Sequence, residues 1–249
     1  MDLCERTSNP IRHPWETTRA RMILRLLARE LHNNTPLRIL DVGCGDGYFL
    51  KLVKQEFPHA SIEGVDVNLD TIVRDDLDQH GIKCVREIRS LKGPYDVILL
   101  LDVIEHLQEE TPFLEQLVND LAGKGCLFII TVPAHPALFS SQDHFLRHYR
   151  RYTRKPFLAL ISGAGLNIEL DGSMFFSLLL PRMVNCLIEK VTRQQPRQHA
   201  GLGQWRHGTF LTDLVEALLD IDNIFLWNLR QISIILPGLS LWTCARKKE

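Results

Sequence analysis

Residues 39–50 read ILDVGCGDGYFL: an apolar run, then Gly43, Gly45 and Gly47 at alternate positions, with Asp41 before the turn and Asp46 inside it. A glycine-rich turn that opens a helix commonly cradles phosphate, because exposed backbone N–H groups and the helix dipole favour negative charge. Here two carboxylates face the same turn and would repel a phosphate at short, partly desolvated range. The spacing is GxGxG, whereas a pyrophosphate-binding dinucleotide turn is GxGxxG. The turn suits a ligand that carries an ammonium or a sulfonium for the acids and a carboxylate for the backbone N–H groups.

Nineteen positions after Gly47, IEGVDVN puts Asp66 at the end of the next strand-like run, where an acid accepts both hydroxyls of a ribose. Acids at two strand ends with glycines between them fit a nucleoside that also carries an amino acid. S-adenosyl-L-methionine has that chemistry, its ammonium going to Asp41 or a carbonyl.

Two further stretches carry reactive side chains. LLDVIEHLQEE sets Asp102, Glu105 and His106 at the carboxyl end of a strand, the edge where ligands bind in parallel sheets, so Asp102 and His106 are placed to face a second substrate. TVPAHPALFSSQDHFLRHYRRYTRK interleaves Arg147, Arg150, Arg151, Arg154 and Lys155 with His144, His148, Phe145, Tyr149 and Tyr152. Arg147, Arg150 and Arg151 are candidate groups for gripping a phosphate or carboxylate, and His106, His144 and Tyr149 are candidate catalytic groups. The plainer alternative is a solvated charged face on which His144 and His148, at i and i+4, are surface neighbours.

These side chains need a scaffold that gathers strand ends. Short apolar runs at 37–42, 61–66, 82–86, 95–101 and 125–132 alternate with helix-like stretches at 47–56, 68–79 and 111–121, which predicts a parallel sheet wound by crossover helices. Trp15, Met22, Ile23, Leu26, Leu27 and Leu31 recur at helical spacing and predict an amphipathic helix ending near Asn33, Asn34 and Pro36. KPFLALISGAG reads as a helix, LNIELDG as a strand and SLWTCARKK as the last strand, with an apolar stretch at 174–188 and a second amphipathic stretch from Phe210 to about Leu229 between those strands. The expected divisions are an N-terminal helical cap (1–34), a core (35–172), a helical insertion over the substrate site (173–230) and the final strand (231–249).

Lys and Arg total 29 against 30 acids, so no overall excess of positive charge supports nucleic-acid binding, and none is expected. Six cysteines lie far apart with no CxxC pair, which reads as a reduced, cytoplasmic protein. No signal-like apolar core or spanning segment is evident. SMFFSLLLPRMVNCLIEK has enough apolar side chains to dock on a membrane interface or, alternatively, to roof the substrate pocket.

The chain resembles the class I S-adenosylmethionine-dependent methyltransferases: ILDVGCGDGYFL matches their first motif, IEGVDVN the second and GPYDVILLLDVIEHL the fourth-strand motif, across roughly residues 35–170 plus the last strand. The resemblance implies a Rossmann-like α/β fold, a mostly parallel seven-stranded sheet with helices on both faces and a helical insertion before the last strand. It implies cofactor contacts from Asp41, Gly43, Cys44, Gly45, Asp66, Val67, Asp102 and Val103. Many members carry an adenine-contacting Asp after the third strand; this chain reads CVREIRSLKG, where Glu87 is the substitute. The D-x-x-E-H spacing at 102–106 also resembles a metal-binding pattern of certain small-molecule and RNA O-methyltransferases, and the basic stretch resembles a subgroup linked with glycan or lipid modification. Against metal stands a helix-opening role for Glu105, with His106 packed over the cofactor; the metal question stays open.

The expectation is methyl transfer to oxygen on a small-molecule or lipid- or glycan-linked acceptor bearing an anionic group, with the insertion either roofing the pocket or making peripheral membrane contact. The competing expectation is an inactive module that binds a partner or an anionic membrane through residues 144–155. Nicotinamide-dependent hydride transfer fails on the glycine spacing and the acids.

Overall fold

The computed structural model describes residues 12–31, 36–192, 205 and 207–248. Strands β1 (Arg38–Val42), β2 (Ser61–Val65), β3 (Lys83–Val85), β4 (Tyr95–Leu101), β5 (Ala122–Pro133), β6 (Leu166–Met174) and β7 (Ser240–Lys247) form one seven-stranded sheet in the order β3-β2-β1-β4-β5-β7-β6. β1 to β5 run parallel, and β7 pairs antiparallel with both β5 and β6. Strand order reverses between β1 and β4, which opens a crevice outside their carboxyl ends. Asp41 lies in β1 and Asp102 directly follows β4, so the two acids flank that crevice.

Alternate strand residues enter two cores. Ile39, Val97 and Leu99 join one with α1 (Pro14–Glu30), α2 (Tyr48–Glu56) and α3 (Thr71–Gln79), while Leu40, Ile98 and Leu100 join the other with Leu114 of α4 (Glu110–Gln116). After the short α5 (Ser141–Phe145), α6 (Arg154–Gly163) adds Phe157 and Ile161 to that second core. Burial on both faces is why these strands read as continuous apolar runs. Each fully buried aliphatic contributes about 1.5–3 kcal/mol of transfer free energy.

The N-terminal helix forms where its periodicity predicts. His13 Nδ1 accepts from the Trp15 N–H, Pro14 supplies a pre-set first-turn φ, and Met22, Ile23, Leu26 and Leu27 are buried. Its expected end at Asn33–Asn34 lies outside the described residues. The helix predicted over 111–121 is instead α4 followed by a π-turn at Leu117–Leu121, and β5 begins at Ala122, because Ala122 pairs with Tyr95 across a register shift. The apolar stretch at 174–188 divides at Phe175, whose φ of 64° ends β6, and continues as α7 (Leu179–Thr192). Helix α8 (Thr209–Gln231) lies against α1 through Arg21, which donates to Glu216 at 2.6 Å and Asp220 at 2.7 Å.

Candidate functional site

The glycine turn is held open by left-handed backbone: φ is 75° at Gly43, 57° at Gly45 and 73° at Gly47. A Cβ at Gly43 would stand 2.8 Å from Val103 Cγ2, so this position excludes side chains by space as well as by φ. Four backbone N–H groups of the turn are taken by acceptors within the fold. Gly43 and Cys44 donate to the Val65 carbonyl at 2.7 and 3.2 Å, Gly45 to Asp66 Oδ2 at 2.9 Å and Gly47 to the Cys44 carbonyl at 3.0 Å. The cause is tertiary: the turn folds back on the end of β2, whose acceptors a linear reading cannot place.

Those bonds fix Asp66. Its Oδ1 accepts from the Asn68 N–H at 2.8 Å and its Oδ2 from Gly45, which leaves about two of a carboxylate's four acceptor sites for hydroxyl groups. Beside it Val67 is exposed, and Glu87 is exposed just past β3. Asp41 is buried, and its Oδ1 has no hydrogen-bond partner among the described residues. Burial pushes its carboxyl up to about 7, a shift opposed by the Arg19 charge and increased by Asp66.

Helix α1 closes the other side of this cleft, which is lined by Glu16, Arg19, Asp41, Gly43, Cys44 and Tyr48 among others. Arg19 is buried, pairs with Asp102 and lies over the Trp15 ring at 4.5 Å. Arg12 donates to Glu16 at 2.6 Å, pairs with Asp46 and covers the Tyr48 ring at 3.8 Å. Sequence reasoning missed Arg12, Arg19 and Tyr48. The available signal was charge within an apolar stripe: Glu16 and Arg19 share a helix face with the buried Met22 and Leu26.

Asp102 sits at φ 57°, accepts from Thr131 Oγ1 at 2.9 Å and holds Arg19, so it reaches the cleft through that arginine. Glycines that let a ligand approach, a buried acid at Asp41 whose Oδ1 has no hydrogen-bond partner among the described residues, an adjacent arginine and a half-engaged acid at Asp66 together fit a nucleoside bearing an ammonium and a carboxylate.

A second cluster follows β4. Glu105 and His106 lie in a 3-10 turn at Ile104–His106, and Glu105 is fully buried with neither carboxylate oxygen hydrogen-bonded among the described residues. Burial, then the Asp102 charge, raise its carboxyl well above the usual range. The His106 ring meets His148 edge-on at 4.6 Å, and one ligand atom each from Glu105, His106 and His148 lies within 4.8 Å of the others. His148 Nδ1 stands 3.1 Å from Asp143 Oδ1. Asp143 also accepts from Arg151 Nε at 2.7 Å, an Arg182 nitrogen at 3.0 Å and the Ser140 N–H at 2.9 Å. Burial alone would raise the Asp143 carboxyl, but these donors overcome it and hold it at about 2.

The other candidates of the basic stretch take different places. His144 is exposed on α5 with its ring edge-on to Phe139 at 5.0 Å, and the Tyr149 side chain is exposed while its N–H donates to the Glu105 carbonyl at 2.8 Å. Arg147 is exposed at φ 59°. Arg150 pairs with Glu110 and donates to the Gln108 carbonyl at 2.7 Å, and Arg151 braces Asp143 and the Ala134 carbonyl. The expected grip on an anion by Arg150 and Arg151 is therefore corrected: folding supplies their carboxylate partners from within the chain. His148, read from sequence as one member of a charged run, is the imidazole brought to His106.

A methyltransferase-domain family model matches residues 15–170. The chain is 29% identical over 127 residues to a ubiquinone biosynthesis O-methyltransferase of Rickettsia bellii, covering 49% of this chain and 53% of that protein. It is 27% identical over 205 residues to a trans-aconitate 2-methyltransferase of an Azoarcus species, covering 79% and 78%. The chain thus spans about half the length of the ubiquinone biosynthesis enzymes it matches. Among solved structures, phosphoethanolamine N-methyltransferase 2 of Haemonchus contortus in complex with S-adenosyl-L-methionine shares the fold at 17% identity with a TM-score of 0.54, over 94% of this chain and 53% of that one. The [4+2]-cyclase SpnF shares it at 18% identity with a TM-score of 0.56, over 92% and 81%. A cyclase and a methyltransferase on one fold show that the fold alone does not fix the reaction. The family match over 15–170, together with the strand order and the glycine turn, establishes that the chain belongs to the methyltransferase-domain family, of the class I S-adenosylmethionine-dependent type.

Proposed function

We propose that the chain moves a methyl group from S-adenosylmethionine to an oxygen of a small-molecule or lipid- or glycan-linked acceptor that carries an anionic group. The observation that carries this reading is the buried Asp41 oxygen that lacks a hydrogen-bond partner among the described residues, set beside Arg19 at the glycine turn. In this reading Asp41 takes the ammonium of the ligand and the Arg19 donors not used by Asp102 take its carboxylate, because the N–H groups of Gly43, Cys44, Gly45 and Gly47 are engaged within the fold. Asp66 takes the ribose hydroxyls. The cofactor, when bound, supplies a carbon already activated by sulfonium, so the protein's task is positioning plus removal of the acceptor proton. Oxygen is favoured as the acceptor atom because the relatives named above are O-methyltransferases in ubiquinone biosynthesis or act on trans-aconitate. With Arg150 and Arg151 braced, Arg147 is the arginine that reaches solvent to meet the anion.

Membrane contact is a second part of the proposal. On α7, Leu180, Met183, Val184, Leu187, Ile188 and Val191 recur at helical spacing and are exposed, and on α8 Phe210, Leu214, Leu218, Ile221 and Phe225 do the same. The opposite face of α7 is tied down: Arg182 donates to Ser140 Oγ at 2.7 Å, and Glu189 accepts from the Ser141 N–H at 3.0 Å. Apolar stripes of this extent on an anchored surface are unusual for a monomer in water. No helix among the described residues is long and apolar enough to cross a bilayer. We place the chain at the cytoplasmic face of a membrane, where a lipid-linked acceptor would meet the site.

Incubation of the protein and cofactor with a metabolite and lipid extract tests the reading. A product heavier by one methylene, formed with S-adenosylhomocysteine, supports methyl transfer; cofactor binding with no such product supports the inactive module.

A further inference from the structure

We propose that residues 12–16, at the N-terminal end of α1, form a door to the cofactor cleft, latched to the glycine turn by the Arg12–Asp46 pair and held from outside by Trp205, so that the helical insertion sets the rate of cofactor exchange. The inference rests on the cofactor reading of the cleft. Helix α1 is anchored unequally along its length. Its second half buries Met22, Ile23, Leu26 and Leu27 in the core. Arg19, one turn nearer the start, is buried and paired with Asp102, and marks where the firm part begins. Before it, Arg12 fastens the chain to the turn by pairing with Asp46 and covering the Tyr48 ring at 3.8 Å. A helix end held by polar contacts opens locally at lower cost than a segment locked by buried aliphatics. Asp46 lies inside the glycine turn, so this latch closes on the loop that the cofactor must reach.

The first turn depends on one residue. His13 accepts from the Trp15 N–H at its Nδ1 (3.1 Å) and from the Glu16 and Thr17 N–H groups at its carbonyl (2.9 and 3.3 Å). Burial pushes its imidazole down to about 4, so Nδ1 stays an acceptor at neutral pH. Trp205, which lies between α7 and α8 in the chain, sets its ring edge-on to His13 at 5.3 Å and donates from Nε1 to Thr212 Oγ1 of α8 at 2.6 Å. Thr212 is buried. Trp205 is thus a clamp between α8 and the cap of α1, and its removal frees that cap without altering a residue that lines the cleft.

Two measurements on the full chain test the door. In hydrogen exchange without cofactor, Trp205→Ala and Arg12→Gln should each speed exchange at the N–H groups of Trp15, Glu16 and Thr17 by about three- to tenfold, the scale of losing one partly exposed contact. The N–H groups of residues 22–27 should keep their wild-type rates. In binding kinetics with labelled S-adenosylmethionine, both variants should raise the association and dissociation rates by a similar factor and leave the dissociation constant within about twofold, because a door that shuts on the empty and the loaded protein alike alters rates and not the equilibrium. Trp205→Phe, which keeps a ring against His13, should lie closer to wild type, and Arg74→Gln, at an exposed arginine of α3, should match it. If Trp205→Ala fails to fold, Arg12→Gln carries both measurements. Wild-type exchange at the first turn of the folded variants, or a weaker dissociation constant at an unchanged association rate, would overturn the proposal. Failure of the unmodified protein to bind S-adenosylmethionine would strike the cofactor reading and leave hydrogen exchange to decide whether residues 12–16 open.

Discussion

Asp41 and Glu105 are both buried acids with unsatisfied oxygens at the carboxyl edge of one sheet, but the chain surrounds them differently. Around Asp41 stand Arg19, a second acid at Asp66 and three left-handed glycines; around Glu105 stand two imidazoles, one of them oriented by Asp143. The first setting offers both signs of charge and close approach to backbone, which suits an organic zwitterion. The second sets a carboxylate against two imidazole rings in a confined space, without the glycine backbone of the first. A buried acid is thus uninformative alone, and its neighbours decide what it can bind.

The strongest way to break this contrast is at the turn. Gly43→Val adds atoms where a Cβ alone meets Val103 at 2.8 Å and forces a β-branched residue to φ 75°, so S-adenosylmethionine binding should be lost, as read by calorimetry on protein whose circular dichroism is unchanged. Asp41→Asn removes the charge that meets the ammonium, and the cofactor dissociation constant should rise by about 10²- to 10³-fold, on the scale of breaking a buried ion pair. The same variant should be more stable without ligand. Because the folded Asp41 carboxyl is raised to about 7, wild-type stability is fully present below the unfolded value near 4 and declines as pH rises towards 7. The melting temperature of Asp41→Asn should therefore exceed wild type at pH 8 and approach it at pH 4; the reverse order would remove the claim that the acid is held there at a cost.

Asp66→Ala should weaken cofactor binding by about 10- to 100-fold, the loss of a charge-assisted acceptor. On the other side, Arg151→Gln should cost roughly 1–2 kcal/mol of stability by removing a donor from buried Asp143, and should leave cofactor affinity within twofold. A raised acceptor KM with unchanged melting temperature would instead restore Arg151 as a substrate grip. The smallest effect expected is at the apolar stripe: Leu187→Ser or Phe225→Ser should weaken flotation with anionic vesicles by about fivefold each, with turnover of a soluble acceptor preserved.

The two settings also differ in how far the sequence discloses them. Strand runs, crossover helices and the Asp41–Gly43–Gly45–Asp66 constellation were legible because each is local: a glycine at a tight turn and an acid at a strand end advertise themselves within a dozen residues. Arg19 was not, since its partner Asp102 lies 83 positions away and its value depends on the angle at which α1 crosses the sheet. The acid–imidazole cluster was half legible. Glu105 and His106 stood out, but the choice among His144, His148 and Tyr149 turns on the short α5 and the left-handed Arg147, which rotate His148 inward and leave His144 in solvent. Likewise Arg150 and Arg151 read as free cations only until Glu110 and Asp143 are brought beside them.

The most direct test of the contrast between the two acids is a titration of S-adenosylmethionine on Asp41→Asn and Glu105→Gln, each against wild type. Asp41→Asn is expected to lose cofactor affinity by at least about 10²-fold, while Glu105→Gln binds cofactor within about threefold of wild type. Equal loss in both folded variants, or undiminished cofactor binding in Asp41→Asn, would contradict the assignment of the cofactor's ammonium to Asp41.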